Sequence, residues 1–177
     1  GGGAFTQPSY ADDVNNLGGL TLGGIPIGGT RLVIDASQGR PENLAGTSTI
    51  EVSNLQATAY NNMGVPGAKS FHLLSAGYGN VAGVALGQAN PYFVRFASST
   101  TASVIGDAVA QAPTFFSLWI GNNDVLSYAT SGGAGVDQTG TGNNPATYGS
   151  NDITDPAVVG SVINGYVTAL IAGGAKG

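Results

Sequence analysis

The most regular hydrophobic pattern in the chain lies near its end. Behind Asp155-Pro156, apolar side chains recur at Val158, Val159, Val162, Ile163, Tyr166, Leu170 and Ile171, the spacing of a helix that buries one stripe. An Asp before a Pro supplies a cap and a preset first helical residue, and Gly173-Gly174 ends the run. A shorter helix is predicted from Thr101 to Gln111, with Val104, Ile105, Ala108 and Val109 on one face and Pro113 limiting its extension. Directly after it, Thr114-Phe115-Phe116-Ser117-Leu118-Trp119-Ile120 is almost continuously apolar, as expected of a parallel strand covered on both faces. Its aromatics Phe115, Phe116 and Trp119 are therefore expected in the core.

The rest is less regular. Up to about Ala59, short apolar pieces such as Arg31–Ile34 and Thr49–Val52 alternate with turn residues and read as loops and short strands. Ala57–Tyr60 reads as a strand, Asn61–Gly67 as a turn and Ala68–Leu74 as a helix. Residues 131 to 152 are rich in Gly, Thr and Asn and nearly free of large apolar side chains, which predicts a mobile surface insertion. Helix, buried strand, loop and helix in this order predict an α/β layered domain, whose ligands bind at the carboxyl ends of parallel strands. One domain over 1–177 is expected, with a Gly-rich segment 1–56 and the polar insertion at about 131–152.

Composition narrows the possibilities. Ten acidic and five basic residues give a net charge of −5, without the basic stripe that tracks phosphates, so no nucleic-acid partner is expected. The 30 glycines follow no fixed period and the chain has no cysteine, which excludes collagen-like repeats and thiolate metal sites. No apolar stretch reaches the length of a membrane span. The chain starts at Gly1-Gly2-Gly3 and stops just after the patterned helix, as if a strand should follow; an internal fragment lacking both ends is expected.

The loop after Ile120 is where chemistry is expected. In Gly121-Asn122-Asn123-Asp124, glycine permits close backbone approach, and an Asn amide is a neutral donor that can be aimed at a developing oxyanion. Gly, Asn and Asp are equally the ordinary residues of turns and caps. Gly149-Ser150-Asn151-Asp152 repeats the pattern after a polar loop instead of an apolar strand, and is set aside on that ground.

With its preceding apolar strand, Gly121-Asn122-Asn123-Asp124 resembles the Gly-x-Asn-Asp block of SGNH (GDSL-like) hydrolases. Asn62-Met63-Gly64-Val65-Pro66-Gly67 resembles that family's upstream Asn-rich turn. The resemblance implies an oxyanion hole made by the Gly67 N–H and the Asn123 side chain, with Asn62, Gly121 and Asp124 as the supporting loop residues. From Tyr60 through Met63–Ser70 and Asn90-Pro91-Tyr92-Phe93 to Asp124, clearest over about 57–130, the chain is similar to GDSL-like lipase/acylhydrolase lipoproteins of Bacteroidetes-type bacteria. That implies a three-layer α/β/α, flavodoxin-like fold with a mainly parallel sheet, incomplete here at both ends. It further implies hydrolysis of carboxylic, including lipid, esters in a periplasmic, outer-membrane-associated or secreted setting, with no cofactor.

The departures from the family matter as much. No Gly-Asp-Ser-Leu-like block and no Asp-x-x-His block are present; Gly106-Asp107-Ala108 has alanine where serine is needed and falls within a predicted helix. The nucleophile and base are expected from the remainder of the same polypeptide, and the chain alone is expected to be inactive. His72, the single histidine, is the sole internal candidate for a base, but its apolar neighbours suit a packed or surface residue better. Asp12-Asp13 and Asp35 form no complete oxygen-ligand loop, so no metal is expected. Rival readings are a non-catalytic binding or assembly module on the same scaffold, and a structural protein of a fibre or surface layer.

Overall fold

A computed structural model describes residues 4–8, 16–53 and 60–176. The chain divides into two compact units, each built from separated pieces: Gly1–Gly64 with Gly79–Thr100, and Val65–Tyr78 with Thr101–Gly177.

The first unit holds all the paired strands among the described residues. β1 (Thr21–Leu22) and β2 (Ile25–Pro26) form one antiparallel hairpin, β3 (Leu32–Asp35) and β4 (Arg40–Asn43) another. Gly23 and Gly24, with φ of 59° and 78°, supply the two positive-φ positions of a tight hairpin turn. The Glu51 carboxylate accepts both of their N–H groups at 2.7 and 3.1 Å. The second hairpin turns on Asp35, which accepts the N–H and hydroxyl of Ser37, a local turn role and not that of a cation ligand. Asp12 and Asp13 lie outside the described residues, as does most of the expected strand Ala57–Tyr60. Leu20, Ile50, Val52, Ala89 and Val94 make this unit's core, beside α1 (Pro91–Val94), which Asn90 caps.

The second unit is helical: α2 (Val104–Ala110), α3 (Asn123–Thr130) and α4 (Pro156–Ala172), with a 3-10 turn at Ser70–Leu74 where a helix from Ala68 was expected. Ser103 Oγ accepts the Gly106 N–H to start α2, and Asp155 Oδ1 accepts the Ala157 N–H to start α4. Tyr166 and Leu170 are buried against Ile105 and Ala175, with Val162, Val109 and Leu73 packed around them. Ile171, expected in the same stripe, is 55% exposed. It follows Tyr166 by five residues, about 140° further round a helix of 3.6 residues per turn.

The expected three-layer, flavodoxin-like α/β/α fold with a mainly parallel sheet is not the observed architecture. The described sheets are two antiparallel pairs, and Thr114–Ile120, expected to be a buried parallel strand, belongs to neither. A buried parallel strand needs a laddered neighbour and cover on both faces. This segment has one isolated parallel bridge, Phe115 to Lys176, and cover on one face only, where Phe116 and Leu118 meet the core. Phe115 and Trp119, expected to be core, are 72% and 91% exposed.

Candidate active site

The site is assembled in the second unit from the turn at 65–70, the start of α3 and the middle of α4. Val65-Pro66-Gly67-Ala68 is a β-turn closed by the Ala68 N–H on the Val65 carbonyl at 3.2 Å. Proline presets its second residue, and the third must take positive φ; Gly67 does so at 75°. A Cβ there would meet nothing within 4 Å, so the glycine answers to backbone conformation and not to crowding. Among the described residues no partner takes the Gly67 N–H, which lies on an exposed residue.

Gly121 has φ of 116°, a value L side chains rarely adopt, and turns the chain from the extended 114–120 segment into α3. Asn123 and Asp124 then occupy the first turn of that helix. Asn123 Nδ2 donates to the Ala68 carbonyl at 2.9 Å, which places its amide beside the residue following Gly67. One amide proton is used by this bond, which leaves a second N–H on the Asn123 side chain.

Asp124, 2% exposed, fixes the same turn through Ser70. Its Oδ2 accepts the Ser70 N–H and its Oδ1 the Ser70 hydroxyl, both at 2.9 Å. The Ser70 carbonyl accepts the Tyr166 hydroxyl at 2.6 Å. Ser70 is thus bonded through N–H, hydroxyl and carbonyl, and the turn carrying Gly67 is held between α3 and α4. Burial pushes the Tyr166 phenol up to about 12, so it remains a donor at any ordinary pH.

The 131–152 segment is tied to this turn. The Asp152 carboxylate accepts the Val136 N–H at 2.9 Å, Gln138 Nε2 at 2.7 Å and the Gly149 N–H at 2.8 Å. Led by the Val136 and Gln138 bonds, these donors hold its carboxyl below the usual range against the opposing effect of burial. Lys69 Nζ donates to the Asp152 carbonyl at 2.7 Å and to that of Gly149 at 3.4 Å. Burial lowers the Lys69 pKa, against the pull of Asp124 and Asp152. The repeated Gly-x-Asn-Asp pattern at 149–152 therefore anchors the insertion.

His72 Nδ1 accepts the Lys69 N–H at 3.1 Å, and its ring stacks on Tyr78 at 4.9 Å. Burial, then the Lys69 charge, depress its pKa to about 4, with Asp124 opposing. A ring so engaged stays neutral and is a weak proton acceptor. Asn62, expected to support the oxyanion turn, lies in the first unit, where its Oδ1 accepts the Gly64 N–H at 2.8 Å. Among the described residues no group of three His, Asp or Glu side chains could hold a metal ion, and no helix is long and apolar enough to cross a membrane.

Ser70, Tyr166, Lys69 and Asp152 were not anticipated as parts of this site. Only Tyr166 carried a local signal, a hydroxyl within an otherwise apolar stripe that had to find a partner if buried. No protein-family model matches the chain, and no curated protein or solved structure matches it.

Proposed function

We propose that this chain supplies the oxyanion-binding half of an SGNH-type serine ester hydrolase. The observation that supports the reading is the 2.9 Å bond from Asn123 Nδ2 to the Ala68 carbonyl, which brings together two sequence blocks 55 residues apart, Asn123 and the turn that carries Gly67. In the reaction a serine attacks the acyl carbonyl, and negative charge grows on the carbonyl oxygen. Neutral, preoriented N–H groups stabilise that charge more than the ground state, each contributing about 3 kcal/mol. The Ser70 anchorage by Asp124 and Tyr166 fits this role, because such donors work only when the backbone around them is held still.

The serine and histidine come from polypeptide outside these 177 residues, since no nucleophile block or Asp-x-x-His occurs within them. Ester substrates, lipid esters among them, and a cell-envelope setting follow from the same family resemblance. The test has two arms. The 177-residue chain alone leaves p-nitrophenyl butyrate unhydrolysed above buffer. In a polypeptide that adds the serine and histidine, Asn123→Ala lowers kcat about a hundredfold or more with unchanged circular dichroism. Unchanged turnover in that variant overturns the reading.

One observation favours a second reading, a non-catalytic binding module: the single histidine is stacked, bonded and held neutral. The intact mass of the native molecule separates the two, since the module reading requires that no serine- and histidine-bearing segment be joined to this one.

A further inference from the structure

The segment leading into the candidate site exposes what a protein surface ordinarily hides. From Phe115 to Ile120 exposure alternates residue by residue, the period of an extended chain. Phe116 and Leu118 pack on the helical core, while Phe115, Ser117 and Trp119 face outward. Phe115 and Trp119, 72% and 91% exposed, together present roughly 300–400 Å² of aromatic surface. The backbone is as open as the side chains. The Lys176 N–H donates to the Thr114 carbonyl at 2.9 Å, and Phe115 is bridged in parallel to Lys176. In an extended chain successive residues aim their N–H and C=O groups to opposite edges. The Lys176 edge therefore takes the groups of Thr114 and Phe116, and the other edge those of Phe115, Ser117 and Trp119. Among the described residues no hydrogen bond reaches Ser117–Ile120 from another segment.

We propose that Phe115–Ile120 is an acceptor edge for one added β-strand: an extended, uncharged peptide segment with apolar side chains at alternate positions. Charge sets the partner's character, because Ala112 to Asn123 contains no Asp, Glu, Lys or Arg to compensate a charge brought against the free edge, and Lys176, the cation bridged to Phe115, lies on the opposite edge. Area selects a strand over a second copy of the chain. A stable interface buries about 800 Å² per partner, well above what these aromatics offer, whereas strand addition draws its affinity from main-chain hydrogen bonds. The proposal does not depend on the esterase reading, since it needs only the edge and the exposed face.

Trp119 is the single tryptophan and lies on this face, so its fluorescence reports occupancy directly. The probe is an acetylated, amidated heptapeptide of alternating threonine and valine, titrated into the 177-residue chain, with a backbone N-methylated peptide of the same side chains as control. The expected result is a blue shift and loss of acrylamide quenching with the first peptide only. The Phe115, Ser117 and Trp119 amides should also exchange at least about tenfold more slowly. Ser117→Pro, which removes the central donor of the free edge at an exposed position, should abolish the shift; unchanged circular dichroism verifies its fold. Equal shifts with both peptides mean apolar adhesion without strand pairing and overturn the proposal. A concentration-dependent shift without peptide, accompanied by dimer in sedimentation, assigns the face to a second copy and overturns it as well. No shift with the first peptide also overturns it.

Discussion

Replacing Asp124 tests what holds the 65–70 turn in place. Asp124→Ala removes the acceptor of two donors on Ser70, itself 0% exposed, so neither the N–H nor the hydroxyl can turn to water. Each buried donor left unsatisfied costs about 1–3 kcal/mol. The hydroxyl can rotate in search of another acceptor and the N–H cannot, so a total of about 3 kcal/mol is expected. Asp124→Asn should behave differently. Its carbonyl oxygen can still accept the Ser70 N–H, while its NH2 donates to a hydroxyl that accepts as readily as it donates. Both contacts survive, and the cost should stay near about 1 kcal/mol. Urea unfolding followed by far-ultraviolet circular dichroism measures both; Trp119 is too exposed to report it. A loss below about 1 kcal/mol for alanine, or equal losses for the two variants, would refute the assigned hydrogen bonds.

Tyr166→Phe leaves the Ser70 carbonyl without its donor and should cost about 1–2 kcal/mol, read as a lowered thermal midpoint. Gly67→Ala forces a Cβ into left-handed backbone without a clash and should lose about 1 kcal/mol; a smaller loss for Gly67→Asn than for alanine in the same melt would identify φ as the cause. His72, with a folded pKa of about 4 against 6.5 unfolded, contributes stability fully above the unfolded value and loses it as pH falls towards the folded one. Discounted for its partly exposed ring, the loss between pH 6.5 and 4 should be about 2 kcal/mol, and His72→Gln should flatten that slope in urea titrations. The lowered Asp152 carboxyl contributes stability above its ordinary value of 3.8 that is lost as pH falls through its lower folded value. Asp152→Asn should remove that acid dependence, which unfolding series below pH 4 would detect.

The helices α2 and α4 were legible because their signals are local: a capping side chain, a proline at the first turn, an apolar stripe. The 114–120 segment is not buried as its composition suggests, because an apolar run states what could be buried and not what is present to bury it. Its cover depends on partners elsewhere in sequence, and only Phe116 and Leu118 have them. The pairing of the hairpins at 21–26 and 32–43 is not visible in the short strands and loops expected there, since glycine and aspartate mark turns without specifying which pieces pair. At the candidate site, the turn at Gly67 and the loop at Asn123 could be found from their residues. The bonds from Asp124 to Ser70 and from Tyr166 to Ser70 span 54 and 96 residues, and nothing in the spacing of a single sequence announces them.

The interleaving of the two units sets the rules for cutting this gene. Val65–Tyr78, the piece carrying Gly67 and Ser70, belongs with residues that follow Thr101, although Gly79–Thr100 of the other unit separates them along the chain. A truncation that begins at Thr101 to isolate the helical unit would leave the Asp124 carboxylate and the Tyr166 hydroxyl facing a missing serine. An excision that retains 65–78 together with the residues from Thr101 onward would keep both. Modularity in this protein is a property of space and not of reading order.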